Sequence, residues 1–188
     1  MLEPNEKNPK DAEIKIGEDP HKTRKTMRNS IVLFFSCLLV LACNNKVALS
    51  SYKTIPELKW HKDSVVSFKI HPPDTLQPYN VYVNLRNTQK YKYNNLFLIV
   101  EMNFPHGKTI KDTLEYKMAK PNGELLGTGF SDIKENKLWY KEGVIFKEPG
   151  TYTLNIQQAM RENGKINGVV NLEGVSDVGF SIEIPEIK

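Results

Sequence analysis

The chain has very little cysteine: two in 188 residues, Cys37 and Cys43. That pair can build neither a disulfide framework nor a thiolate zinc site, so packing alone has to hold a folded domain together. No apolar run reaches the roughly 20 residues that a permanent membrane helix needs. There is no basic block either. The 26 basic and 22 acidic residues are interspersed and the formal net charge is only +4, which argues against nucleic-acid binding driven by electrostatics. A Gly-x-Ser-x-Gly elbow and a phosphate-cradling loop are both missing. Gly127-Thr128-Gly129 lacks the strand–helix setting of a dinucleotide loop and reads as a bulge or tight bend. His61, His71 and His106 form no pair at metal-ligand spacing, and His61-x-Asp63 is a weak ligand motif that reads as solvated loop. Asp132, Glu135 and Glu142 are scattered and read as solvated carboxylates. The expectation is a non-enzyme without catalytic residues, metal or cofactor.

What is present begins with Ile31–Cys43, a run of apolar residues broken only by Ser36 and Cys37 and ending in Val40-Leu41-Ala42-Cys43. A positive end at Arg28, a short apolar stretch and a small residue before cysteine form the layout of a bacterial lipoprotein signal peptide. Ala42 and Cys43 then flank the cleavage point. Cys43 becomes the first mature residue, with a diacylglyceryl group on its sulfur and an N-acyl chain on its amine. The competing reading is an uncleaved N-terminal anchor; in both, the rest of the chain is exported and tethered to a membrane. The expected organisation is a polar extension over 1–26, outside the true start or a disordered leader, then a signal peptide over 27–42. A lipidated tether over 43–51 and one domain over 52–188 follow.

That domain reads as strands. Val66, Phe68 and Ile70 alternate with polar residues, as do Tyr79, Val81, Val83 and Leu85. So do Leu96, Leu98, Val100 and Met102, with Phe97 and Ile99 making the opposite side apolar too, as in a central strand. Ile110, Leu114, Tyr116 and Met118 form a further row, then Tyr152, Leu154 and Ile156, and finally Val178, Phe180 and Ile182. Period-two alternation means strands with one buried and one wet face. Pro72-Pro73-Asp74, Pro105-His106-Gly107, Pro121-Asn122-Gly123 and Glu148-Pro149-Gly150 punctuate them with turn chemistry. The pattern predicts an all-β, antiparallel two-sheet β-sandwich of about seven to nine strands. Gln157–Arg161 is the one place for a helical turn. In Pro149-Gly150-Thr151-Tyr152, the Tyr should enter the core beside its loop.

The aromatics suggest where such a domain would bind. Tyr82 and Arg86 fall on the wet side of their strand, and Tyr91 and Tyr93 sit in the polar stretch beyond it. Of the adjacent pair Trp139-Tyr140, one should face outward. Exposed Tyr and Trp beside Asn and Arg suit a protein interface or a sugar platform, and edge packing under loops is the plainer alternative. Tyr82, Arg86, Tyr91 and Tyr93 are the candidate partner surface.

Several segments together resemble a known family. Trp60-His61-Lys62-Asp63, Gln77-Pro78-Tyr79-Asn80-Val81-Tyr82, Asp112-Thr113-Leu114-Glu115-Tyr116 and Gly127-Thr128-Gly129-Phe130-Ser131-Asp132 carry the first half of the likeness. Pro149-Gly150-Thr151-Tyr152, Gln158-Ala159-Met160-Arg161 and Gly174-Val175-Ser176-Asp177 carry the rest. In this order they resemble the gliding motility lipoproteins GldH of Bacteroidota. The resemblance implies a lipid-anchored component of the gliding apparatus, in an envelope machinery tied to type IX secretion. Its partners would be membrane lipid through Cys43 and other gliding or secretion proteins of the envelope, not nucleic acid. The only functional residue carried over is the lipidated cysteine. Asn44 is not the acidic residue that retains lipoproteins at the inner membrane of enteric bacteria. Asn44-Asn45-Lys46 also lacks the acidic cluster linked to surface export in this phylum, so the expected location is the outer membrane, facing the periplasm. The rival reading is a glycan-binding lipoprotein of a surface polysaccharide-uptake system.

Overall fold

The computed structural model describes residues 46–129, 132–162 and 164–186. The signal peptide, Ala42 and Cys43 lie outside the described residues. The strands are β1 (Val47–Thr54), β2 (Lys59–His61), β3 (Val66–Ile70), β4 (Tyr79–Asn87), β5 (Asn95–Asn103), β6 (Thr109–Lys117), β7 (Lys134–Val144), β8 (Tyr152–Gln158), β9 (Asn171–Glu173) and β10 (Val175–Glu183). Two four-stranded sheets, ordered β1-β10-β4-β7 and β3-β8-β5-β6, are joined by a β2-β9 ribbon. Every pairing is antiparallel. The sandwich predicted from alternation is the one observed, and β5 is interior to its sheet as the apolar Phe97 and Ile99 imply. The ribbon brings the strand count to ten among the described residues, above the expected range, because three-residue strands leave no periodic trace in sequence.

Alternation sets which residues meet between the sheets. Val81, Val83 and Leu85 of β4 and Val178, Phe180 and Ile182 of β10 are buried, as are Phe68, Leu98, Val100, Leu154 and Ile156 from the other sheet. Phe68 meets Phe180 edge to face at 5.1 Å. The two ends are closed differently. Where β1 begins, Tyr79, Phe104, Phe146 and Tyr152 form a chain of tilted ring contacts 5.0 to 6.1 Å apart. Tyr152 enters the core beside its loop, as expected. Its hydroxyl accepts from the Glu148 amide at 3.0 Å and donates to the Glu148 carbonyl at 3.1 Å. At the other end the ribbon lays Trp60 and Leu172, paired and fully buried, across the core. The Trp60 indole N–H donates to the Ser64 carbonyl at 2.9 Å.

Two expectations need correction. The tether expected over 43–51 is shorter, because β1 starts at Val47 and pairs with β10 along its length. Its Ser-Ser centre and its lack of buried residues are those of an edge strand, which reads as linker in sequence. Gln157–Arg161 forms no helical turn. The strand runs on to Gln158, whose buried amide donates to the Val169 carbonyl at 2.8 Å and accepts from the Met160 amide at 2.9 Å. Those bonds hold the chain extended where a helix would need the same groups.

Hydroxyls close the side between β6 and β7. Tyr116 donates to the Trp139 carbonyl at 2.6 Å, and Tyr140 donates to Asp112 at 2.9 Å. The ammonium of Lys141, 2.9 Å from Asp112, holds that carboxyl below its ordinary range. Burial pushes the phenol of Tyr116 up to about 12 and raises those of Tyr91 and Tyr140 further. The native fold therefore keeps these protons above pH 10, where unfolded tyrosines release them. Stability is then fully present below pH 10 and falls as pH rises through 10 toward 12. In urea titrations at increasing pH, the midpoint should hold up to about pH 9.5 and drop beyond it. Phenolate absorbance should appear together with loss of β-sheet circular dichroism.

Candidate functional site

The solvent side of the β1-β10-β4-β7 sheet collects the side chains with binding chemistry, and antiparallel register arranges them in rows. One row reads Thr54, Asp177, Arg86, Glu135; the next Tyr52, Gly179, Asn84, Lys137; the third Ser50, Ser181, Tyr82, Trp139. The first row alternates donors and acids. Thr54 donates to Asp177 at 2.9 Å, and the Arg86 guanidinium donates to Glu135 at 2.9 Å. Tyr52 reaches the same carboxylate, its hydroxyl donating to the second oxygen of Glu135 at 2.9 Å. The Arg86 guanidinium also lies 4.2 Å from the centre of the Tyr52 ring. Burial, then the hydrogen bond to Glu135, pushes the Tyr52 hydroxyl up to about 12, and Glu135 raises Arg86. This cluster is half-exposed, so it contributes on the order of 1 kcal/mol or less to stability. Its main effect is to fix Tyr52, Arg86 and Glu135 together in one geometry.

Gly179 makes the arrangement possible. A methyl there would sit 2.6 Å from the Tyr52 ring and 2.5 Å from the Ser51 carbonyl oxygen. The bare backbone lets the ring lie flat on β10, the usual way an aromatic covers a strand glycine. In the third row Tyr82 and Trp139 meet edge to face, centroids 5.1 Å apart at 89°. The Lys137 ammonium caps the Tyr82 ring at 4.2 Å and reaches Glu183 at 2.5 Å. Trp139 is 46% exposed while Tyr140 is buried, so one of the adjacent aromatics faces outward as expected.

The four residues named from sequence do not form one surface. Tyr82 and Arg86 stand on this face. Tyr91 is 4% exposed and belongs to the core; its hydroxyl donates to the Asn95 carbonyl at 2.6 Å. Gly174 is the cause: it lies under the Tyr91 backbone and leaves no side chain to hold the loop off. Tyr93 packs edge to face on Tyr91 and lines a groove of about 420 Å³ with Lys92, Glu162, Lys165 and Glu173. The charges of that groove pair with one another, Lys92 with Glu173 and Lys165 with Glu162. Sequence reasoning missed Tyr52, Lys137 and the bound state of Glu135. Tyr52 was adjacent to the supposed tether, and no local pattern reveals that Glu135 lies beside Arg86 across two strands.

The histidines sit apart. His61 accepts from the Asp63 amide, His71 bonds Thr151, and His106 pairs with Glu148. Among the described residues no group of three or more His, Cys, Asp or Glu is placed to hold a metal ion.

The fold and this face define a β-sandwich that offers a fixed, mixed aromatic and charged sheet surface. The chain belongs to the GldH lipoprotein family, whose model matches residues 47–182. It is 51% identical to the Gliding motility lipoprotein GldH homolog of Christiangramia forsetii, over 84% of this chain and 98% of that protein. It is equally 51% identical to the Gliding motility lipoprotein GldH of Flavobacterium johnsoniae, over 84% of this chain and 97% of that protein. A chain in the structure of infectious bursal disease virus Gt strain aligns at 12% identity and a TM-score of 0.34, covering 74% of this chain and 32% of that one. So low a score supports no functional argument. As a GldH lipoprotein, this chain is a membrane-anchored protein of the cell envelope.

Proposed function

We propose that this protein serves gliding motility as a noncatalytic lipoprotein, anchored through Cys43, that binds another envelope protein with the outer face of its β1-β10-β4-β7 sheet. The gliding role rests on membership of a family whose two named relatives carry gliding motility in their names. The binding face rests on a single observation. Tyr52 and Tyr82 are held on one face of the sheet by Arg86, Glu135 and Lys137, and Trp139 packs edge to face on Tyr82 and is left 46% exposed. Aromatic and Arg side chains positioned in advance lose little entropy on binding, and such residues dominate interface energetics. The outer membrane, with the domain facing the periplasm, is the location this reading takes, supported by the residues after Cys43.

The capped rings favour a protein over a sugar. Lys137 covers Tyr82 and Arg86 covers Tyr52. Tyr82 and Trp139 are perpendicular instead of coplanar, so the two do not form a shared platform for a pyranose ring.

The test is a motility screen with matched immunoblots. Tyr82→Ala with Trp139→Ala should abolish or strongly reduce spreading while the protein stays folded and membrane-bound, because truncating an interface aromatic costs about 2 kcal/mol or more. His61→Ala, His71→Ala and His106→Ala should each spread normally. A silent double variant beside a well-expressed histidine variant that cannot spread would overturn the reading.

A further inference from the structure

The early start of β1 shortens the tether and thereby fixes which end of the sandwich meets the membrane. Lys46 is already tied to the domain: the Ile184 amide donates to its carbonyl at 2.8 Å, and its ammonium pairs with Glu186. Only three peptide links separate it from Cys43, a reach of about 11 Å when fully extended. A domain hung on a longer, free linker could tumble. One held this closely must present the end where β1 begins.

Register shows what else is at that end. Val47 pairs with Glu183, Glu183 with Asn80, and Tyr79 with Val144. In the other sheet Ile70 pairs with Tyr152, and Asn103 with both Thr109 and Thr153. The loops 71–78, 104–108 and 145–151 therefore cluster with Val47. Leu76 projects from the first of them, 84% exposed, in a turn held by its amide donating to Asp74 at 2.7 Å. Val47, Ile145 and Ile184 are exposed at the same end. Burial of such apolar tips in water-exposed loops is favourable only against an apolar phase.

We infer that this end, led by Leu76, rests on and inserts into the bilayer carrying the Cys43 lipid, with the strands standing away from the surface. Strands of nine residues place the opposite loops roughly 30 Å further out. The β1-β10-β4-β7 face then stands upright, open to a partner approaching along the membrane. Lys46 pairs with Glu186 and His106 lies against Glu148, while Lys108 and Lys147 are exposed in the same loops without a salt bridge among the described residues. The apolar tips make the contact, and anionic lipid should strengthen it through those two lysines.

The inference rests on Cys43 carrying the lipid, and the experiment separates the two. Cys37 leaves with the signal peptide and Cys43 is blocked by its thioether, so one engineered cysteine is the sole free thiol of the mature lipoprotein. Leu76→Cys and, at the opposite end, Ile166→Cys (the native side chain is 94% exposed) are each labelled with an NBD fluorophore. The lipidated proteins are reconstituted in phosphatidylethanolamine vesicles containing doxyl-labelled phosphatidylcholine. Intact mass and vesicle flotation report the anchor. The expected result is blue-shifted emission and loss of most fluorescence to the lipid quencher at position 76, with neither at 166. Proteins that float while position 76 is unquenched, or is quenched no more than 166, overturn the inference and leave the anchor standing. Proteins that carry no lipid and do not float overturn both.

Discussion

Cys43→Ser is expected to abolish the mature, membrane-anchored form of the protein. Each buried methylene contributes roughly 0.8 kcal/mol to membrane binding, so two or three acyl chains hold the protein effectively permanently, whereas one myristoyl-length chain binds only marginally. No helix among the described residues is long and apolar enough to cross a membrane. Leu76 and its neighbours are too few to replace the acyl chains. With serine there is no sulfur to alkylate, so the chain should either accumulate as an unprocessed precursor or appear as soluble mature protein. Fractionation with an immunoblot that resolves precursor from mature size reads both. Fully cleaved Cys43→Ser protein that stays with the membrane would contradict the placement of the lipid.

Gly174→Ala should unfold much of the domain. Gly174 turns the chain between β9 and β10 at φ +85°, and a methyl there would stand 2.2 Å from the Tyr91 amide nitrogen and 2.6 Å from the Lys90 carbonyl carbon. These are backbone atoms and cannot swing aside. The loop they belong to is itself fixed, since the Gly174 carbonyl accepts from the Thr88 amide at 2.7 Å and its amide donates to the Leu58 carbonyl at 2.8 Å. Relief means lifting Tyr91 out of the core and parting the ribbon that carries Trp60. Together these cost about 4 kcal/mol or more, in the range of the most damaging single substitutions. Gly143→Ala is the control. That glycine also has a positive φ, +61°, but a methyl there meets nothing within 4 Å. It should lose only the left-handed backbone penalty of about 1–2 kcal/mol. Urea midpoints of the two mature proteins compared side by side measure the clash alone. Equal losses would mean that the Tyr91 loop does not press on Gly174.

The strands visible in the sequence are those with an apolar row alternating with polar residues, β3, β4, β6, β8 and β10, and β5, whose second face carries Phe97 and Ile99 as well. β7 was harder. Its inner face runs Asn136, Leu138, Tyr140, and the buried Asn136 amide donates to Asn87 at 2.7 Å. A polar pair inside the core breaks the pattern that reveals a strand. β1 buries no residue at all, so nothing in its composition distinguishes it from a linker. The error over Tyr91 has the same origin. Lys90, Lys92 and Asn94 make its surroundings polar in sequence, yet burial there is decided by a glycine more than eighty positions away. Tyr82 and Arg86 were legible because outward direction follows from alternation within one strand. Their neighbours Tyr52, Glu135 and Lys137 depend on register among four strands, which no local signal carries.

The claim that the β1-β10-β4-β7 face is the docking surface is tested most directly by photocrosslinking in living cells. A benzophenone amino acid is placed at Trp139, on that face, and separately at Thr113, exposed on β6 of the other sheet. The account predicts a discrete, light-dependent adduct with one envelope protein from position 139, lost when Tyr82→Ala is added, and none from position 113. Adducts from position 113 with position 139 silent would contradict it.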